Sequence, residues 1–431
     1  MNIQELYSIF QVHPVVTTDS RDVPAGSLFF ALKGETFDGN KYAAAALQQG
    51  AAYAVVDDPS LASGDNMILV DDVLVALQQL AHYHRLQLGT TVIGITGTNG
   101  KTTTKELIAA VLKKKYNVLY TQGNFNNHIG VPKTLLQLTA DHEIAVIEMG
   151  ANHPGEIKTL VDIVCPDYGI ITNVGKAHLQ GFGSFEGVIK TKGELYDFLR
   201  NDNGTVFINN DNEHLKGISH DLSQVKYGQT QADDLLVQGE LVACNPFVQF
   251  RWNDGLVQTH LIGSYNVDNL LAAACIGTFF TVPASDISDA LGEYQPSNNR
   301  SQLTVTASNR LIVDAYNANP TSMAAALDNF RHIQADHKMV ILGDMKELGA
   351  VSTAEHYKIL QVLQTLNLDL IYLVGCEFQQ ALEPIPDNTR IKTFADVEAL
   401  KSDLVTHKLQ GYTILIKGSN STRLIQAVEC L

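Results

Sequence analysis

The chain has 431 residues, beyond the roughly 250–300 at which a single hydrophobic core stops growing, so two or three domains are expected. A hydrophobic fraction of 45% excludes a disordered chain, and a formal charge of −16 disfavours nucleic acid or an acidic membrane surface as the main partner. Five scattered cysteines (Cys165, Cys244, Cys275, Cys376 and Cys430) show no Cys-x-x-Cys spacing and read as buried thiols in a reducing compartment.

The N-terminus, MNIQELYSIFQVHP, carries neither a basic stretch nor a long apolar core, and no run in the chain approaches the roughly 18 apolar residues of a membrane span. A cytoplasmic location and no membrane span are therefore expected. Residues 1–89 read as a small α/β unit: strand LFFAL, a Gly-Glu turn, an alanine-rich helix, strand AYAVV, then a helix from Val73 to Leu86.

From Thr91 the pattern becomes strand TVIGITG, glycine loop, helix, strand IAVIEMG, helix, strand YGIITNVG. Such continuous apolar strands belong to a mostly parallel sheet covered on both faces. Near Phe247 the segments FVQFRW and LVQTHLIG alternate around an Asn-Asp-Gly turn and predict an antiparallel hairpin appended to that sheet. The basic run Lys113 to Lys115 closes a predicted helix, where cations complement the helix dipole.

The polar stretch QPSNNRSQ, around Pro296 to Gln302, reads as a linker separating a central domain at 90–299 from a last domain at 300–431. Strands LIVDAY, KMVILGDM, LIYLVG and TILIKGS with intervening helices make the last domain an open, Rossmann-like α/β sheet. The expected fold is thus α/β in three domains: a small N-terminal one, a central P-loop-type sheet with appended antiparallel strands, and a Rossmann-like C-terminal one.

The segment GITGTNGKTTTKE, Gly94 to Glu106, stands between an apolar strand and a helix whose apolar face includes Leu107, Ile108, Val111 and Leu112. Glycines let the backbone turn so that consecutive N–H groups of Gly97, Thr98, Asn99, Gly100 and the following residues face a phosphate, and the helix N-terminus favours negative charge. In that frame Lys101 reaches the β and γ phosphates of a bound nucleotide and the Thr102 hydroxyl takes a Mg²⁺ position, with Thr103 beside it. The general P-loop expression requires glycine where Ile95 stands, so this loop is a shorter variant.

Glu148 ends an apolar strand and is placed for a second magnesium contact beside the loop. His178, in ITNVGKAHLQGFGS, also follows a strand; a structural histidine and a ligand both remain open on the residues alone.

Together GTNGKTTTKE, NFNNHIGVPKTLL, EMGANHPGEI, TKGELYDFL, DAYNANPTSM, LGDMKELG and IKGSNSTR resemble the Mur ligase family over nearly the whole chain, with TDSRDVPAGSLFFALKGETFDG similar to its uridine-nucleotide domain. DAYNANP and LGDMKELG are similar to the members that add D-alanyl-D-alanine to a UDP-N-acetylmuramoyl-tripeptide, an ATP-dependent amide ligation in peptidoglycan precursor synthesis. The neighbouring alternatives are the diaminopimelate-adding Mur ligases and folylpolyglutamate synthetases; a nucleotide-dependent switch is the alternative of another class.

The resemblance implies that Lys101 and Thr102 bind the ATP phosphates and Mg²⁺, that Glu148 and His178 help position metal ions, and that Lys192 is carbamylated, which turns an amine into an anionic oxygen ligand. It further implies adenine contacts from Asn266 and Asn269, with Tyr265 standing where the family usually has histidine. Arg300 and Asp314 match residues that close over ATP from the third domain. Asn319-Pro320 is also a good helix start on its own terms, a cap followed by a first-turn proline, so a role for Asn317 or Asn319 with D-alanyl-D-alanine stands beside simple capping. Asn126 and Asn127, and Ser20 and Arg21 on the uridine side, are the remaining substrate-binding candidates. A monomer is expected, and catalysis is expected to need the third domain to close and exclude water.

Overall fold

The computed structural model describes residues 1–296, 300–385 and 389–431; residues 297–299 of the expected linker, and with them the 299/300 boundary, lie outside the described residues. Three sheets organise the described residues. The first has four parallel strands in the order Val16–Thr17, Leu28–Phe30, Tyr53–Val56 and Met67–Leu69. The helix Val73–Gln87 follows, started by Asp72, whose carboxylate accepts from Val75 N–H at 2.8 Å.

The central sheet has nine strands, and the order explains where a ligand belongs. Thr91–Thr96 lies between Tyr168–Ile171 on one side and Ile144–Glu148 on the other, and all three run parallel. The chain leaves Thr91–Thr96 toward Val118–Tyr120 on one side and later returns to Tyr168–Ile171 on the other, so the order reverses at the glycine-loop strand. A crevice opens at the carboxyl ends of strands at such a reversal. The register pairs Ile95 with Glu148 and Thr96 with Ile171, which brings the glycine loop, Glu148 and the segment after Ile171 to one edge.

The expected hairpin is present as Phe247–Trp252 and Gly255–Ile262, and it continues the sheet through Leu235–Cys244. Asn253 and Asp254, at φ 46° and 60°, form its two-residue turn, so the left-handed positions fall on Asn-Asp while Gly255 opens the next strand. The last sheet has an antiparallel edge strand, Gln302–Val305, beside Arg310–Asp314, and then four further parallel strands.

Packing joins the parts unequally. One apolar cluster runs from Leu6, Phe10 and Leu28 through Leu77 and Leu80 to Val131, Ile147 and Tyr196, so the first sheet and the central sheet share a core. Arg85, itself buried, donates to the carbonyls of Val164 and Cys165 and to Asp167 at 3.0 Å, fixing the same junction. The last sheet is covered by its own two clusters, which take in Ile262 and little else of the central unit. Separating apolar surfaces costs roughly 25 cal/mol per Å², so less apolar surface opposes opening of the C-terminal junction than of the N-terminal one.

Among the described residues no helix is long and apolar enough to cross a membrane. The cysteines are all free, but burial covers only Cys275; Cys376 is exposed and the other three are half-buried, which corrects the expectation of uniformly buried thiols.

Candidate active site

A cleft of about 760 Å³ opens where the carboxyl edge of the central sheet faces the last sheet. Its floor is the loop Thr98 to Gly100 and the first turn of the helix Lys101–Leu112. Gly100 caps that helix at φ 77°, and a Cβ there would stand 2.7 Å from Asn269 Oδ1, so glycine is required by both conformation and space. Lys101 Nζ folds back on its own loop, donating to the carbonyls of Gly97 at 2.9 Å and Thr98 at 3.2 Å. Burial pulls its ammonium below the ordinary lysine value, with Glu148 opposing the shift and Arg300 adding to it.

Glu148 is 1% exposed. Its Oε1 accepts from the Thr102 hydroxyl at 3.2 Å and from Asn126 Nδ2 at 2.8 Å, and its own N–H is tied to Thr121 Oγ1. Its Oε2 has no hydrogen-bond partner. A buried carboxylate oxygen left open beside a phosphate-type loop is what a divalent cation requires of a ligand. Asn126 therefore orients the carboxylate, and Asn127 accepts from Ile129 and Gly130 N–H ahead of the next helix while lining the cleft.

His178 also lines the cleft, at φ 49°, and its Nδ1 is hydrogen-bonded to Glu347 of the last sheet's loops. Burial lowers its pKa, and Glu347 opposes the shift. Lys192 lies just behind the wall: its Nζ, on a side chain 2% exposed, donates to Ala151 O at 3.2 Å and sits over the Phe182 ring. Burial first, and Lys101 second, hold it well below the usual lysine range. Among the described residues no three His, Cys, Asp or Glu side chains gather as a ready-made metal cage.

The opposite wall comes from the C-terminal unit. Asp314 and Lys417 are register partners on adjacent strands and form an ion pair at 2.5 Å, with Lys417 also donating to Asn317 O. Lys417 was not singled out in the sequence, although it ends an apolar strand just as Glu148 does; the same strand-end rule points to both. The Arg300 guanidinium stacks on Tyr316 at 4.0 Å, and both line the cleft. Asn317 lines it too, whereas Asn319 does not. Asn319 caps the helix Pro320–His332 through Ser322 N–H and donates to Asn99 Oδ1 at 2.8 Å, so both ends of its amide are engaged.

Asn266 and Asn269 reach the cleft from the helix Asn266–Phe279, but their acceptors are already used. Asn269 Oδ1 accepts from Thr104, Asn269 Nδ2 donates to Asn266 Oδ1, and Asn266 Nδ2 donates to Ile262 O. Tyr265 shares a hydrogen bond with Ser301 at 2.7 Å across the linker. Ser20 and Arg21 stand away from the residues lining the cleft; Arg21, 88% exposed, pairs with Asp19. From the first unit the cleft wall takes Leu74 and Gln78 instead, on the helix Val73–Gln87.

Three family models match successive parts of the chain: "Mur ligase family, catalytic domain" over residues 13–85, "Mur ligase middle domain" over 95–277, and "Mur ligase, glutamate ligase domain" over 299–420. The UDP-N-acetylmuramoyl-tripeptide--D-alanyl-D-alanine ligase of Bacillus subtilis is 35% identical over 426 residues, covering 96% of this chain and 92% of the relative. Among solved structures, MurF from Acinetobacter baumannii superimposes with a TM-score of 0.85 at 32% identity, covering 96% of this chain and 92% of that one. MurF ligase from Thermotoga maritima in complex with ADP does so with a TM-score of 0.83 at 27% identity, covering 97% of each chain.

Proposed function

The chain belongs to the Mur ligase family, and we propose that it joins D-alanyl-D-alanine to a UDP-N-acetylmuramoyl-tripeptide with consumption of ATP, in peptidoglycan precursor synthesis. The observation that carries the chemistry is the meeting of Lys101, Glu148 and His178 with Asp314, Asn317 and Lys417 across one cleft. The first group suits a phosphoryl donor; from the second, Asp314 faces the nucleotide and Asn317 stands where the attacking amine must approach. The ligands are cytoplasmic molecules, and the protein acts there.

Joining a carboxylate to an amine in water needs a leaving group better than hydroxide. The γ-phosphoryl group of ATP passes to the terminal carboxylate of the tripeptide, giving an acyl phosphate and ADP; the amine of D-alanyl-D-alanine then attacks the acyl carbon, and phosphate leaves. The N–H groups of the loop Gly97 to Thr103 hold the phosphates at the helix N-terminus. Lys101, released from the Gly97 and Thr98 carbonyls, offsets charge on the transferring group. Asn266 and Asn269 each carry a second amide hydrogen beyond the one engaged, and these face adenine. Arg300 and Asp314 approach the nucleotide from the C-terminal unit.

Thr102, Glu148, His178 and Lys192 would hold Mg²⁺, which when bound supplies neutralisation of phosphate charge; the open Oε2 of Glu148 fits that role. Lys192 joins the set as a carbamate. A neutral amine adds to CO₂, forming an N–C bond and releasing one proton, and Lys192 is held toward its neutral form by burial. The resulting carboxylate would give the set a second anionic ligand beside Glu148, where the described His, Cys, Asp and Glu side chains supply no cluster of three.

Residues 1–89 take the UDP end, with Ser20 and Arg21 on an arm of the substrate outside the main cleft, and residues 90–299 take ATP. Residues 300–431 bring the dipeptide, with Asn317 facing it and Asn319 fixing the loop that carries Asn317. Phosphate release, measured with UDP-muramoyl-tripeptides ending in lysine or diaminopimelate, with and without D-alanyl-D-alanine, tests the assignment. Release only in the presence of both substrates is expected. Ligation of a single amino acid instead would place the chain with the amino-acid-adding ligases, and substrate-independent hydrolysis would make it a switch.

A further inference from the structure

Lys105 is fully buried one helical turn beyond Lys101 and does not itself line the cleft. Its Nζ lies 3.6 Å from Glu148 Oε2 and 3.8 Å from Glu106 Oε1, donates weakly to Gly123 O at 3.5 Å, and stands 5.8 Å from the Tyr120 ring centroid. Glu106 is in turn fixed by the Tyr294 hydroxyl, which donates to its other oxygen at 2.5 Å. The geometry is selective. The ammonium is near enough to neutralise Glu148 but forms no hydrogen bond to Oε2, so the charge is balanced while the coordinating lone pairs stay open.

We propose that Lys105 is a positioning residue that makes cation binding at Glu148 depend on the nucleotide: its fixed ammonium balances the carboxylate in the empty site and weakens the hold on a lone divalent cation. Phosphate oxygens arriving with ATP restore the excess negative charge, so the cation enters with the nucleotide and leaves with the product. Without Lys105, the carboxylates of Glu148 and Glu106 would share the buried space with no ammonium between them, and a cation would be retained on its own. A lysine serving only to fill the core would leave cation binding unchanged when replaced by an apolar side chain of similar length.

This inference rests on the reading of Glu148 as a metal ligand, and the two are tested separately. Mn²⁺ binding to the full-length protein is measured by calorimetry or electron paramagnetic resonance, with and without ADP. Wild type and Lys105→Arg are expected to bind Mn²⁺ appreciably only with ADP, whereas Lys105→Met binds it without nucleotide at least about tenfold more tightly than wild type. Lys105→Gln serves if the methionine variant fails to fold. Unchanged or weaker nucleotide-free binding in the charge-removed variant, or nucleotide-independent binding in wild type, overturns the inference. Glu148→Gln with undiminished Mn²⁺ binding in the presence of ADP would instead remove the ligand reading beneath it.

Discussion

The side chain of Asn319 that caps a helix of the C-terminal unit also donates to the side chain of Asn99 in the phosphate loop, at 2.8 Å. One amide thus has two tasks, and substitution separates them. Asn319→Ala loses both and should cost about 1 kcal/mol of stability from the lost cap. Asn319→Asp keeps the cap acceptor but turns the donor facing Asn99 Oδ1 into a second acceptor. It should unfold within a few tenths of a kcal/mol of wild type in denaturant, yet show a kcat lowered about tenfold. Equal activity in Asn319→Asp and wild type would show that the tie to the loop is idle.

Closure also depends on a close approach at Gly175. A Cβ built there stands 2.9 Å from Thr321 Oγ1 and 3.2 Å from its Cγ2, while the neighbouring Lys176 N–H donates to that same Oγ1 at 3.0 Å. Gly175→Ala should hold the two units apart and lower kcat by about 10²-fold, the scale of a 1 Å misplacement. Adding Thr321→Ala removes the opposing atoms and should restore much of the rate. Steady-state kinetics of the single and double variants check this; no recovery in the double variant counts against the contact.

Lys192 carries a chemical prediction. Protein equilibrated with ¹³C-bicarbonate should show a carbamate carbon resonance that is missing in Lys192→Met, and activity should fall when CO₂ is stripped from the buffer. Full activity after stripping, with no such resonance, would leave Lys192 as a plain buried amine.

His356 governs part of the acid response. It is buried, Met345 N–H donates to its Nε2 at 3.0 Å, and its Nδ1 lies 2.8 Å from Ser352 O, an arrangement that only the neutral ring with a proton on Nδ1 satisfies. Burial lowers its pKa from the ordinary 6.5, and burial does the same for His84 and His178. Between the lowered folded value and 6.5 the unfolded chain binds more protons, so stability falls as pH drops below about 6.5. Denaturation midpoints from pH 8 to 5 should decline below that point. His356→Leu should be less stable at neutral pH but lose less on acidification.

Much of this was legible in the sequence because the signals were local. The strand-loop-helix around Lys101, the strand-end Glu148 and the cap Asn319-Pro320 each follow from a few adjacent residues. The capping box of Asn2 and Glu5 that starts the helix Ile3–Val12 is equally local. What adjacency does not encode is which distant residues meet. The use of Asn126 as a clamp on Glu148, the Asp314–Lys417 pair and the burial of Lys105 between two carboxylates arise from sheet register and tertiary packing. Ser20 and Arg21 show the converse: a family motif locates residues in a domain without placing them in the cleft.

The central claim is that the cleft activates a carboxylate by phosphorylating it, and isotope transfer tests that step itself. With ¹⁸O in the terminal carboxylate of the UDP-muramoyl-tripeptide, unlabelled ATP and D-alanyl-D-alanine, each turnover should release phosphate carrying one ¹⁸O atom from the peptide. A folded Lys101→Ala protein should transfer label at least about 10²-fold more slowly. Phosphate that instead takes its new oxygen from water, while ligated product still accumulates, would contradict the account.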